Sequence, residues 1–162
     1  MSVQIAIDHY DDLFSNFDIR GFEERYISTD FLNELGMRTS KLLHKKEIQI
    51  IIKIDEKERN PDEEMIIAER LRTFFKNRYD RNMKKKKQII LNAIVLEMTG
   101  IAFLLIAIFL GKYTIDYLKE FMLIPAWFFV WNGLDKYVFN RKLLDKKVNY
   151  YSILNNSKIR FE

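Results

Sequence analysis

Arg20 and Arg25 are the side chains of this sequence best suited to meet an anion. Each lies in a loop ahead of an expected helix start, where unpaired backbone N–H groups and a guanidinium fork together favour a phosphate. Asp18, Glu23, Glu24 and Asp30 stand close by and open the alternative of internal salt bridges. Asp8, Asp11 and Asp12, beside His9, gather carboxylates that a hard cation can use. Acidic turns more often cap backbone or face water, so no metal site is assigned. A further ionisable group, Glu97, is isolated in an apolar stretch. Covalent chemistry has little to work with. The 162 residues include no cysteine and two histidines, His9 and His44. There is no Gly-rich phosphate loop, GxSxG elbow or HExxH pair. The sequence predicts neither an enzyme nor a bound cofactor.

The elements that hold these groups fall into two contrasting halves. Residues 1–80 carry 13 Lys+Arg against 17 Asp+Glu, and residues 81–162 carry 14 against 6, which points to two environments. Gln88 to Gly111 is apolar on every face apart from Glu97. At 1.5 Å per residue it is roughly 36 Å long, enough to cross the hydrocarbon layer of a bilayer. A second span is expected over about 115–137, kinked at Pro125. Trp131 and Tyr137 would lie near one interface, and Tyr113 and Tyr117 near the other. A re-entrant segment is the alternative there.

Lys and Arg set the orientation. Arg78, Arg81 and Lys84 to Lys87 precede the first span, and Lys136, Arg141, Lys142, Lys146 and Lys147 follow the second. In the turn between them Lys112, Asp116, Lys119 and Glu120 cancel. The positive-inside rule then puts both termini in the cytoplasm. The N-terminus has no signal-peptide pattern. Placed directly against an apolar span, the lysine run reads as a membrane stop touching anionic lipid, and no duplex nucleic acid partner is expected.

The fold expected is an α+β membrane protein. Residues 1–80 form a cytoplasmic β-α-β-α sensor domain, 81–137 a transmembrane hairpin, and 138–162 a cytoplasmic helical extension and tail. Val3, Ile5 and Ile7 alternate as a strand, and Asp8 to Tyr26 is an ordered loop. Ser28 or Thr29 caps a helix whose apolar stripe is Phe31, Leu32, Leu35, Leu42 and Leu43, with Gly36 a weak point. Glu47 to Ile54 is a strand covered on both faces. Asn60, Pro61 and Glu63 predict a capping box. From there no breaker intervenes before Gly111, so a nearly continuous helix enters the membrane and can transmit a tilt. Ser157 to Glu162 alternates and offers a third strand, paired within the chain or with a neighbour. So small a domain and so thin a membrane part argue for a homo-oligomer, such as a tetramer.

Glu97 lies roughly 9 Å deep by helical rise if hydrocarbon begins near Leu91. Either it hydrogen-bonds Asn132, or it forms an acidic ring around a pore. In the second case Ile101, Leu104 and Ile108 share its face as hydrophobic constrictions. Asn92 and Thr99 lie on a different face.

Residues 17–31 read FDIRGFEERYISTDF. This resembles a motif of small bacterial two-helix membrane proteins, Phe-Asp-Pro-Arg-Pro-Leu-Ser-Glu-Arg-x-Leu-Ser-x-Asp-Phe. Phe17, Asp18, Arg20, Glu24, Arg25, Ser28, Asp30 and Phe31 match it, while Ile19 and Gly21 replace prolines and Glu23 replaces serine. The layout is similar to that of membrane effectors of anti-phage systems, such as those of the Hailong type. The resemblance implies a homo-oligomeric ion channel held closed by a nucleotide-derived ligand from a partner nucleotidyltransferase. It makes Arg20 and Arg25 candidates for holding the motif loop or the anionic ligand, and Glu97 a pore candidate. The rival reading is a membrane-anchored adaptor that recruits a cytoplasmic partner.

Overall fold

A computed structural model of the chain describes residues 2–40, 48–112 and 116–162. Leu42, Leu43, His44, Glu47, Tyr113 and Ile115 of the expectations above lie outside the described residues. The chain combines helices with one small sheet, and it divides into two units. The first is Met1–Asp80 together with Asn149–Glu162, and the second is Arg81–Val148. The last residues belong to the first unit because they complete its sheet.

Three strands build that sheet: β1 (Ser2–Ala6), β2 (Gln49–Lys53) and β3 (Lys158–Phe161). Their order is β1-β2-β3, and both pairs are parallel, with Val3 beside Ile50 and Ile50 beside Ile159. Parallel pairing needs a crossover between strands, and the third strand is reached from the far end of the chain. The pairing is made within the chain. β2 is central, and Ile50, Ile51 and Ile52 are all buried, as expected of a strand covered on both faces.

Helix α1 (Thr29–Ser40) starts where Ser28 Oγ accepts from the Asp30 N–H at 3.2 Å. Phe31 and Leu35 are buried, and the helix runs through Gly36 without a break. Helix α2 (Pro61–Lys112) has 52 residues, about 78 Å at the helical rise. Asn60 Oδ1 accepts from the Asp62 N–H at 3.2 Å. The expected return bond from Glu63 is replaced. The Asn60 N–H donates to the Tyr10 hydroxyl at 3.0 Å, and that hydroxyl donates to Glu64 Oε1 at 3.0 Å. A tyrosine distant in sequence satisfies the donor better than a flexible carboxylate in the first turn. Ile67, Leu71 and Phe75, one face of α2, are fully buried with Leu13, Leu35, Ile52 and Leu154.

The second unit holds the rest of α2, α3 (Asp116–Asp135), a π turn (Lys136–Asn140) and the start of α4 (Arg141–Asn155). Among the described residues one helix is long and apolar enough to cross a membrane: α2, with a mean hydropathy of 2.5 over its most apolar stretch. The expected second span is the 20-residue α3, which carries Lys119 and Glu120 near its start and Pro125 inside, and falls short of that mark. α2 and α3 approach closely. A Cβ added to Gly100 would lie 2.7 Å from Val130 Cγ2, and one on Gly133 would lie 2.6 Å from Glu97 Cγ. Ala93, Ala107 and Ala126 are buried beside them, and Phe103 stacks on Phe129 at 5.7 Å.

Candidate functional site

The motif loop is pinned at its base and open at its tip. Phe14 and Ile27 form an antiparallel bridge. The Ser15 N–H donates to Tyr26 O at 2.8 Å, and the Ser28 N–H to Leu13 O at 2.9 Å. Leu13, Phe14 and Ile27 are buried in the core, and Phe22 stacks on Phe14 at 5.2 Å.

Asp18 organises the loop. Its residue is 8% exposed, and its carboxylate accepts from Arg20 Nε at 2.9 Å, Arg20 Nη2 at 2.8 Å and the Tyr26 N–H at 2.7 Å. The bidentate arginine, aided by the backbone donors, holds Asp18 well below the usual carboxylate range. Asp18 in turn raises Arg20. The Arg20 guanidinium also lies 4.7 Å over the Tyr26 ring. Between these tethers Phe17 is 100% exposed and Ile19 is 99% exposed. Two large apolar side chains thus flank a buried carboxylate and face solvent.

Arg25 pairs with Asp11, and its guanidinium lies 5.8 Å over the Phe14 ring. Arg20 also approaches Glu24 at 3.8 Å. Both candidate anion-binding arginines therefore meet internal carboxylates. Asp18 and Glu24 are expected partners by their nearness in sequence, whereas Asp11 lies fourteen residues before Arg25, among the acidic residues around His9. Asp12 caps instead, accepting from the N–H groups of Asp8 and His9 at 3.0 and 3.1 Å. His9 lies 3.4 Å from Glu58.

Arg70 of α2 was not singled out by the sequence. Its guanidinium donates to Arg25 O at 3.1 Å from both Nε and Nη2, and to Glu24 O at 3.2 Å. The sequence signal is an arginine immediately before Leu71 of the apolar stripe. A cavity of about 300 Å³, lined by Glu23, Ile66, Glu69, Arg70 and Thr73, adjoins this clasp. A second cluster joins Tyr10, Arg59 and Glu64. Arg59 grips Glu64 through Nε at 2.9 Å and Nη2 at 3.0 Å, which lowers the Glu64 carboxyl. Burial pushes the Tyr10 hydroxyl up.

In the second unit the four pore candidates share one face of the continuous α2 and differ in burial. Glu97 is half-buried with its Cγ against Gly133, and Leu104 is half-buried. Ile101 is 46% exposed and Ile108 69% exposed. Asn132 donates to Phe128 O at 2.8 Å, and among the described residues no hydrogen bond joins it to Glu97. Thr99 donates to Val95 O at 2.8 Å.

Comparison with protein-family models, curated proteins and solved structures finds no match for this chain.

Proposed function

We propose that this chain is a membrane effector: a homo-oligomeric channel whose α/β unit senses a signal and whose apolar helices open a pore. One observation carries the reading. The same uninterrupted helix, α2, buries Ile67, Leu71 and Phe75 in the α/β core and then exposes Leu91, Ile94, Val95, Met98, Leu105 and Phe109. So much exposed apolar surface calls for lipid or protein around it. We take α3 as the returning span. Gly100 and Gly133 support this, because small residues let helix backbones approach closely in lipid. Both termini then lie on the cytoplasmic side of a bacterial inner membrane, where the lysine run belongs.

In this proposal Glu97 lies at the rim of the α2–α3 seam, with Ile101 and Ile108 free to meet other copies. Arg20 and Arg25 hold the motif loop rather than the ligand, since Asp18 and Asp11 already occupy them. The nearby cavity at Arg70 is the place for a signal to act on α2. Under the anti-phage resemblance that signal is a nucleotide-derived ligand. Current across a planar bilayer, or flux from liposomes containing the purified chain, tests the channel. An unbroken seal under every gating condition would refute it. Glu97→Gln should shift ion selectivity or gating. Altered assembly with unchanged conductance would assign Glu97 to packing.

Phe17 and Ile19 favour a second reading, a membrane-anchored adaptor. Two fully exposed apolar side chains on a tethered loop suit capture by a cytoplasmic partner. Exchanging residues 88–137 for an unrelated anchor separates the readings: an adaptor keeps its function and a channel loses it.

A further inference from the structure

We propose that the groove between α2 and the π turn is a site for one anionic phospholipid, an inference that rests on the membrane reading above. The groove holds about 300 Å³. Lys85, Gln88 and Asn92 line it from α2, and Asn140 lines it from the end of the π turn. Spacings of three and four residues put the first three on one helix stripe, about 10 Å long by helical rise. None of these four side chains has a hydrogen-bond or ion-pair partner among the described residues. Ile89, Leu143 and Leu144 supply an apolar wall.

The chemistry matches a phosphodiester with an acyl chain attached. A phosphate carries one negative charge and several acceptor oxygens. Lys85 offers the charge, and the three amides offer N–H donors. The chain of the same lipid can lie along Ile89 and Leu143. The position suits such a ligand, because Asn92 falls where the apolar stretch begins. A bare amide there is costly unless a partner meets it. Neighbouring Lys86 is excluded from the site by its ion pair with Asp145, which also approaches Arg141 at 3.5 Å. Lys84 and Lys87 add to the field without lining the groove. The π turn supplies the shape. A turn with i→i+5 bonds widens a helix locally, and such turns concentrate at functional positions.

The full chain would be reconstituted in vesicles of phosphatidylcholine with phosphatidylglycerol, then extracted in a mild non-ionic detergent. Retained lipid would be counted by native mass spectrometry. The wild-type chain should keep phosphatidylglycerol in preference to phosphatidylcholine. Lys85→Ser with Asn140→Leu should reduce that preference about tenfold. Lys84→Ser with Lys87→Ser removes more charge outside the groove and should leave most of it. Equal loss in both variants would mean diffuse attraction and would overturn the site, as would no preference in the wild type. Competition by inorganic phosphate would mark a free-anion site instead and equally overturn the lipid assignment. Extraction of the chain from vesicles by alkaline carbonate would sink the membrane reading itself. A chain that resists carbonate yet keeps no phosphatidylglycerol sinks the lipid site alone.

Discussion

Two stretches of one helix meet opposite surroundings. Between Ile67 and Phe75, α2 shows the α/β core an apolar stripe of Ile67, Leu71 and Phe75 that is wholly buried, flanked by Ala68 and Phe74, while Glu69, Arg70, Arg72 and Thr73 make the rest of this stretch polar. Between Leu91 and Phe109 it is apolar on nearly every face, and most of the large side chains are exposed. The first pattern is that of a helix against a protein core. The second suits a helix whose solvent is itself apolar. Secondary structure is identical in the two stretches, so the difference lies in what their side chains are left to bury against.

The largest expected effect comes from probing that contrast directly. Phe75→Ala should destabilise the α/β unit by about 3–5 kcal/mol, read by chemical denaturation of the detergent-solubilised chain. Ile108→Ala should change stability by no more than about 0.5 kcal/mol in the same assay. A matching loss at Ile108 would show that the apolar stretch is sheltered inside protein, and the contrast would disappear.

The helical glycines sharpen the comparison at the next level. Gly133→Ala places its Cβ 2.6 Å from Glu97 Cγ and 3.1 Å from Ala93 O, so the helices must move apart. A cost of about 1–3 kcal/mol is expected, visible as weakened α2–α3 packing in thermal scans. At Gly36 the nearest atom is the Tyr150 hydroxyl, an ordinary 3.6 Å from the new Cβ. Gly36→Ala should stabilise α1 by about 0.5–1 kcal/mol through its better helix propensity. Two glycines that look alike in sequence should therefore respond with opposite sign.

The smallest effect concerns pH at the motif loop. Asp18 has its folded value lowered from the ordinary 3.8, so its stabilising role is complete above that value and fades only as pH falls through the lowered one. The carboxyl-carbon shift of Asp18 should stay flat from pH 7 to pH 4 in an NMR titration. An Asp18 midpoint near 4 would mean that the Arg20 clasp is open in solution.

Much of the fold was legible locally. Alternation marked β1 and β3, a β-branched run marked β2, and Asn60–Pro61 marked the start of α2. The lack of any breaker gave α2 its length. The candidate site was less legible. Arg20 and Asp18 lie two residues apart and could be paired on paper. Arg70 meets Arg25 from 45 residues away and Tyr10 meets Asn60 from 50, distances over which periodicity carries no information. The alternation of Phe17 and Ile19 around Asp18 likewise gave no sign of which side would face the core.

By itself, then, the sequence determined the elements and the places where apolar surface is concentrated. Backbone propensity, capping and side-chain period act between residues within a turn or two of each other, and they can be read along the chain. Tertiary structure alone decided that the tail closes the sheet in the same chain, that Asp11 rather than a nearer acid meets Arg25, and that Asp18 turns inward while Phe17 and Ile19 turn out. Each of those outcomes depends on which distant groups compete for the same donor or the same buried volume. That competition is settled only when the parallel crossovers bring the strands, the loop and α2 together.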